Sequence, residues 1–229
     1  GQYGTGASAD EITEYTGVSV GSIYNCARRC MITIMGLHGE SIKGEQDCAE
    51  MKSGTSAWGG GIYAADGTPV KLFAKPGFFG LDLYGKDKIY AIQLTLIILI
   101  HNLLIADYAV GQPGSVHDSA AFKETYFCNN YEQLLQRYQW IWADSAYTLT
   151  PWLITPFKAP RGKQLTRNQE RFNYYLSRIR VAVEHTIGLL KARWGSLKEL
   201  QIQITDGVKL AYATMWIHCC LVLHILVIK

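Results

Sequence analysis

Two acids stand where a β-sheet could present them together. Asp66 follows the apolar alternation of Ile62-Tyr63-Ala64-Ala65, and Asp144 follows the run Trp140-Ile141-Trp142-Ala143. Both runs read as strands, so each carboxylate falls at a strand end. If the strands are parallel neighbours, both side chains project from one edge of the sheet. A third acid, Glu184, lies in a helical stretch where Leu176, Ile179, Val183, Ile187 and Leu190 recur as a buried stripe. Arg180, Glu184, Gly188 and Lys191 form the stripe beside it, and Gly188 leaves room one turn beyond the acid. Such an all-carboxylate set suits Mg²⁺ or Mn²⁺ rather than zinc. Two such ions about 3.5–4 Å apart activate a water or a 3′-hydroxyl and stabilise the leaving oxygen of a phosphodiester. Without a cation the acids would repel one another, so the metal is part of the expectation. Each acid alone has a plainer reading. Asp66-Gly67 could cap a turn, and Glu184 could be a solvated surface residue.

The elements that must position these acids can be read in order. Ile62 to Val70 leads through Asp66, with Gly67 as a turn or a close-approach position. Tyr90 to Ile100, a turn at His101-Asn102, and Leu103 to Val110 read as a hairpin. Val116-His117-Asp118-Ser119 opens a helix running to about Tyr126, and Tyr131 to Tyr138 is a second. A Pro-punctuated connection, Leu149 to Pro160, precedes long helical stretches from Leu165 to Trp194 and from Asp206 to Val227. Strand, hairpin, helix, strand, helix is the order of an α/β ribonuclease H-like fold, a mixed sheet flanked by helices. Ahead of it, helical stretches at 9–16 and 20–37 flank Gly17-Val18-Ser19, with Ser19 a good N-cap. The pattern predicts a helix-turn-helix over residues 1–38, a connector over 39–60 and the main domain over 61–229. Arg28 and Arg29 would face outward from the second helix and contact DNA, unless the pair is a plain helical hairpin.

Charge is unevenly distributed. The net charge is only +3, yet Lys158 to Lys198 holds ten Lys/Arg against Glu170 and Glu184. That is the footprint of a phosphate-binding face, with Arg161, Lys163, Arg167, Arg180, Lys191 and Arg193 as its candidate DNA contacts. The six cysteines form no C-x-x-C pair and read as buried free thiols. The apolar runs Ile89–Ile100 and Met215–Ile228 fall short of the roughly 18–20 residues of a membrane span, so no membrane is expected.

Four motifs occur in order: Ala65-Asp66-Gly67-Thr68-Pro69-Val70, Pro113-Gly114-Ser115-Val116-His117-Asp118-Ser119, Ala143-Asp144-Ser145-Ala146-Tyr147, and Arg180 to Lys191 with Glu184 and Gly188. Together they resemble the DDE transposase domain of the PIF/Harbinger superfamily and its domesticated nucleases, over roughly Gly60 to His224. The resemblance implies metal-dependent DNA strand cleavage, and strand transfer in transposition-competent members. It assigns Asp66, Asp144 and Glu184 as catalytic acids. Asp118 matches a fourth acid, either at the metals or capping its helix. It further implies a nuclear setting, DNA ends or target as substrate, and a Myb-like DNA-binding partner, with a second copy of the chain as a further partner. Gln93 stands where similar proteins often carry Asn or Asp, and Leu223-His224-Ile225 where they carry Leu-His-Asn. Such changes suit a domesticated copy. The competing reading is a catalytically silent DNA-binding adaptor that keeps the fold.

Overall fold

The computed structural model describes residues 17, 19, 21–22, 25–26, 29, 58, 60–85 and 88–228. Asn25 and Arg29 are helical and exposed. Most of the helix-turn-helix expected over 1–38, Arg28 included, lies outside the described residues, as does nearly all of the connector.

The sheet is built from β1 (Gly61–Leu72), β2 (Ala91–Leu99), β3 (Ile105–Pro113), β4 (Trp140–Trp142), β5 (Leu153–Ile154) and β6 (Glu199–Leu200). Its order is β3-β2-β1-β4-β5, with β6 added to the far end of β1. β1, β2 and β3 pair antiparallel, whereas β4 and β6 run parallel to β1. The helices are α1 (Asp118–Phe122), α2 (Tyr126–Leu134), α3 (Arg167–Arg193) and α4 (Gly207–Ile228).

Every residue of β2 is buried, which requires cover on both faces of the sheet. The period-two alternation divides the core accordingly. Ala64, Val70, Leu94, Leu96, Ile98 and Trp142 meet α3 and α4 on one face. Tyr63, Ala65, Ile97, Leu99 and Ile141 meet α1 and α2 on the other. The result is a three-layer α/β arrangement.

Several boundaries differ from the sequence expectation. β1 does not end at Asp66 but runs six residues further, to Leu72. Pairing with β4 stops at Ala64 and pairing with β6 starts at Lys71, so Pro69 falls where that side of β1 has no neighbour. The helix expected to reach Tyr126 breaks after Phe122, because Thr125 starts α2 by accepting from the Cys128 N–H at 3.1 Å. Asp107 reinforces that start, its carboxylate accepting from the Phe127 N–H at 2.6 Å. α3 opens on a capping box of Thr166 and Gln169. Cys219 and Cys220 are buried as expected, but Cys128 is only half-buried and Cys26 is exposed; none of the four is in a disulfide.

α4 runs Gly207–Ile228, close to the expected Asp206–Val227. The apolar run expected to fall short of a span is part of this longer helix, whose 22 residues are apolar and long enough to cross a membrane by length and composition. Here Ala213, Ile217, Cys220 and Leu221 pack into the core on the α3 face of the sheet. The same helix buries His224 completely, with neither ring nitrogen hydrogen-bonded. Burial, aided by the charge of Arg193, pushes its pKa down to about 4. The folded chain therefore holds this ring neutral while the unfolded chain protonates it near pH 6.5, and stability falls as pH drops between those values. A His224→Leu chain should be at least as stable at pH 7. Its advantage over wild type should grow to about 3 kcal/mol at pH 4, read from urea unfolding across that range.

Candidate active site

The parallel register of β1 and β4 decides the geometry. Tyr63 stands beside Ile141 and Ala64 beside Trp142, so two residues further on Asp66 and Asp144 leave the pairing level with each other. β1 continues past this point while β4 stops, which opens a notch at the sheet edge. Asp144 enters a turn in which its carboxylate accepts from the Ala146 N–H at 2.7 Å. Asp66, with the parity of Ala64 and Val70, faces α3, where the Arg180 guanidinium donates to its Oδ2 at 3.0 Å. Its Oδ1 accepts from the Gly67 N–H at 2.9 Å.

Asp118 arrives from the opposite layer. The Gln93 amide, buried on β2, donates to Asp118 Oδ1 at 2.7 Å. Gly67 makes this approach possible, since a Cβ there would overlap both the Asp118 carboxylate and the Gln93 amide. Gly67 is thus a close-approach glycine inside a strand rather than a turn residue. Asp66, Asp118 and Asp144 line one cavity of about 230 Å³ together with Gly67 and Gln93.

The electrostatics agree with this convergence. Burial lifts the Asp66 carboxyl above its ordinary value; Arg180 and the Gly67 N–H oppose that rise, and the charge of Asp144 adds to it. Tyr147, in the turn after Asp144, is raised further, by burial first and then by Asp66, Asp118 and Asp144. Among the described residues no three acids, histidines or cysteines are gathered closely enough to grip a metal ion. The donor set is nevertheless the one a hard divalent cation takes.

The other expected residues are placed as follows. Glu184 is exposed on α3 and does not line the cavity. It follows Arg180 by one turn, which puts the two Cβ atoms about 5–6 Å apart. Lys191 is not free to meet a ligand with all its donors. Its ammonium bonds Thr68 Oγ1 at 2.7 Å and the Pro69 carbonyl at 2.9 Å, fastening α3 to β1. Burial and Lys71 push its pKa down to about 8. Arg193 is half-buried, whereas Arg161, Lys163 and Arg167 are exposed around the start of α3. Sequence reasoning passed over two residues of the site. Gln93 carried a signal, as an amide in a strand otherwise apolar but for Thr95; Tyr147 stood in the Ala143–Tyr147 motif with no role given to it.

Comparison with known proteins agrees with the geometry. The chain is 23% identical over 203 residues to the rat and mouse proteins called "Putative nuclease HARBI1" (Rattus norvegicus and Mus musculus), and 21% identical to the human one. These alignments take in 86% of this chain and 56% of each relative, so the chain spans little more than half the length of the curated relatives it matches. No solved structure matches it. Residues 65–224, which carry Asp66, Asp118, Asp144 and Glu184, match the DDE superfamily endonuclease family, and the chain belongs to that family.

Proposed function

We propose that this chain is a divalent-metal-dependent DNA endonuclease of the Harbinger type, built on a ribonuclease H-like sheet. The observation that carries the reading is the β1–β4 register, which brings Asp66 and Asp144 level beside one cavity. Asp66 and Asp144 would hold Mg²⁺ or Mn²⁺, with Asp118 steered to the same cavity by Gln93. Glu184 would complete the catalytic acids from α3. The chemistry supplied by such a cation is activation of a water or 3′-hydroxyl and neutralisation of the leaving oxygen. Arg180 is paired with Asp66 at 3.0 Å and would meet a substrate phosphate once that pair opens. Arg161, Lys163 and Arg167 would hold the DNA backbone, making binding salt-sensitive. Action in the nucleus, a Myb-like partner, self-association and strand transfer belong to the same proposal.

A second reading is a silent DNA-binding adaptor. The Arg180–Asp66 ion pair favours it, because a guanidinium already satisfies the acid that a metal would use. Supercoiled plasmid incubated with the full chain at low salt separates the two. The nuclease reading expects nicked circles in Mg²⁺ or Mn²⁺ and none in EDTA. Tight, salt-sensitive DNA binding without nicking in either metal would establish the adaptor.

A further inference from the structure

Tyr147 is the side chain of the site that nothing above employs. Its backbone N–H closes the turn onto the Asp144 carbonyl at 3.3 Å, and its side chain packs in the core layer of α1 and α2. There it stands edge-on to Phe122, centroids 5.5 Å apart and planes at 82°, and is only 4% exposed. Its hydroxyl is buried with no hydrogen-bond partner. A buried donor without an acceptor is rare enough to require an explanation, and an absent ion is one of the recognised ones.

The surroundings supply that explanation. The ring packs against Phe122, one helical turn after Asp118 on α1, and its own turn begins at Asp144, so it lies between the elements that carry two of the acids. The charges of Asp66, Asp118 and Asp144 all act on the phenol. The hydroxyl donates to none of these three acids. A cation drawing the carboxylates inward would bring an acceptor to the hydroxyl.

We infer that Tyr147 is a positioning residue for the divalent-metal centre, its O–H donating to one of the gathered carboxylates and fixing that ligand's orientation. The inference rests on the metal-dependent reading above. Donors of this kind, one step behind the ligands, change metal affinity by about 10–100-fold when removed. Removing this one should not weaken the metal-free fold, because the hydroxyl makes no hydrogen bond there.

The test is Mn²⁺ titration calorimetry on the full chain, wild type beside Tyr147→Phe and Asp144→Asn, with thermal melts of each metal-free protein. The expected result is about tenfold weaker Mn²⁺ binding by Tyr147→Phe, with a metal-free Tm equal to or above wild type. Unchanged Mn²⁺ affinity in Tyr147→Phe, with binding lost in Asp144→Asn, would overturn the role of Tyr147 alone. A lowered metal-free Tm would also overturn it, since the hydroxyl would then serve the fold. If Asp144→Asn binds Mn²⁺ as wild type does, the metal centre itself is misplaced and the inference falls with it.

Discussion

An Asp144→Asn chain is expected to nick plasmid about a thousandfold more slowly than wild type in Mg²⁺ or Mn²⁺, with its fold intact. The substitution changes charge and little else. Asn keeps the Oδ1 that accepts from the Ala146 N–H, so the turn leading to Tyr147 is preserved. What is lost is one of the two anions that stand level at the sheet edge. A metal site contributes several kcal/mol of charge stabilisation in phosphoryl chemistry, and about 4 kcal/mol corresponds to about a thousandfold in rate. DNA binding should persist, because Arg161, Lys163 and Arg167 lie exposed around the start of α3 and outside the cavity. Asp66 should also ionise more easily in the variant, since the charge of Asp144 now pushes its pKa upward. Gel-resolved nicking time courses, paired with a filter-binding assay, read both halves of this expectation.

The largest loss of stability is expected at Trp142. This ring is 2% exposed, stacks on Trp58 at 4.8 Å and meets Trp140 edge-on at 5.5 Å. Its indole N–H donates to the Gly61 carbonyl at 3.0 Å, tying β4 to the start of β1. Gly61 has no room for a Cβ against this ring, so the two strands are fitted to each other here. Truncating a buried Trp to Ala costs about 3–5 kcal/mol. For a chain of this size that is a fall in Tm of roughly 6–20 °C. Trp142→Phe should lose less, because it retains ring packing and gives up the hydrogen bond. The β1–β4 pairing sets the level of Asp66 and Asp144, so Trp142→Ala should lose activity at temperatures where it is still folded. Activity unchanged below the Tm of Trp142→Ala would separate that pairing from the site.

The sequence announced the acids, the hairpin and the long helices because each has a period or a chemistry of its own. Nine consecutive buried residues in β2 and the apolar stripe of α3 are such signals. The parallel neighbours assumed for Asp66 and Asp144 are present in the sheet. Other features had no local signature. β5 and β6 are two residues each, too short to show alternation. β1 hid its second half behind Gly67 and Pro69, residues that ordinarily punctuate a strand. The glycine is needed for the approach of Asp118, and the proline sits in the unpaired gap between β4 and β6. Both exceptions come from tertiary neighbours. Gln93 shows the same point from the other side. As sequence it was a departure from a family pattern; in the fold it grips Asp118. Lys191, expected to meet DNA, instead spends two hydrogen bonds on β1, a use visible only once α3 lies across that strand.

The most direct test of the central claim is the nicking rate of Asp66→Asn, Asp144→Asn and the double variant in Mn²⁺. Residues that serve one metal centre act as a unit, so their losses do not multiply. The account predicts that the double variant is no slower than the more damaged single variant. Two independent losses that multiply, or a single variant that nicks at the wild-type rate, would contradict a shared centre at Asp66 and Asp144.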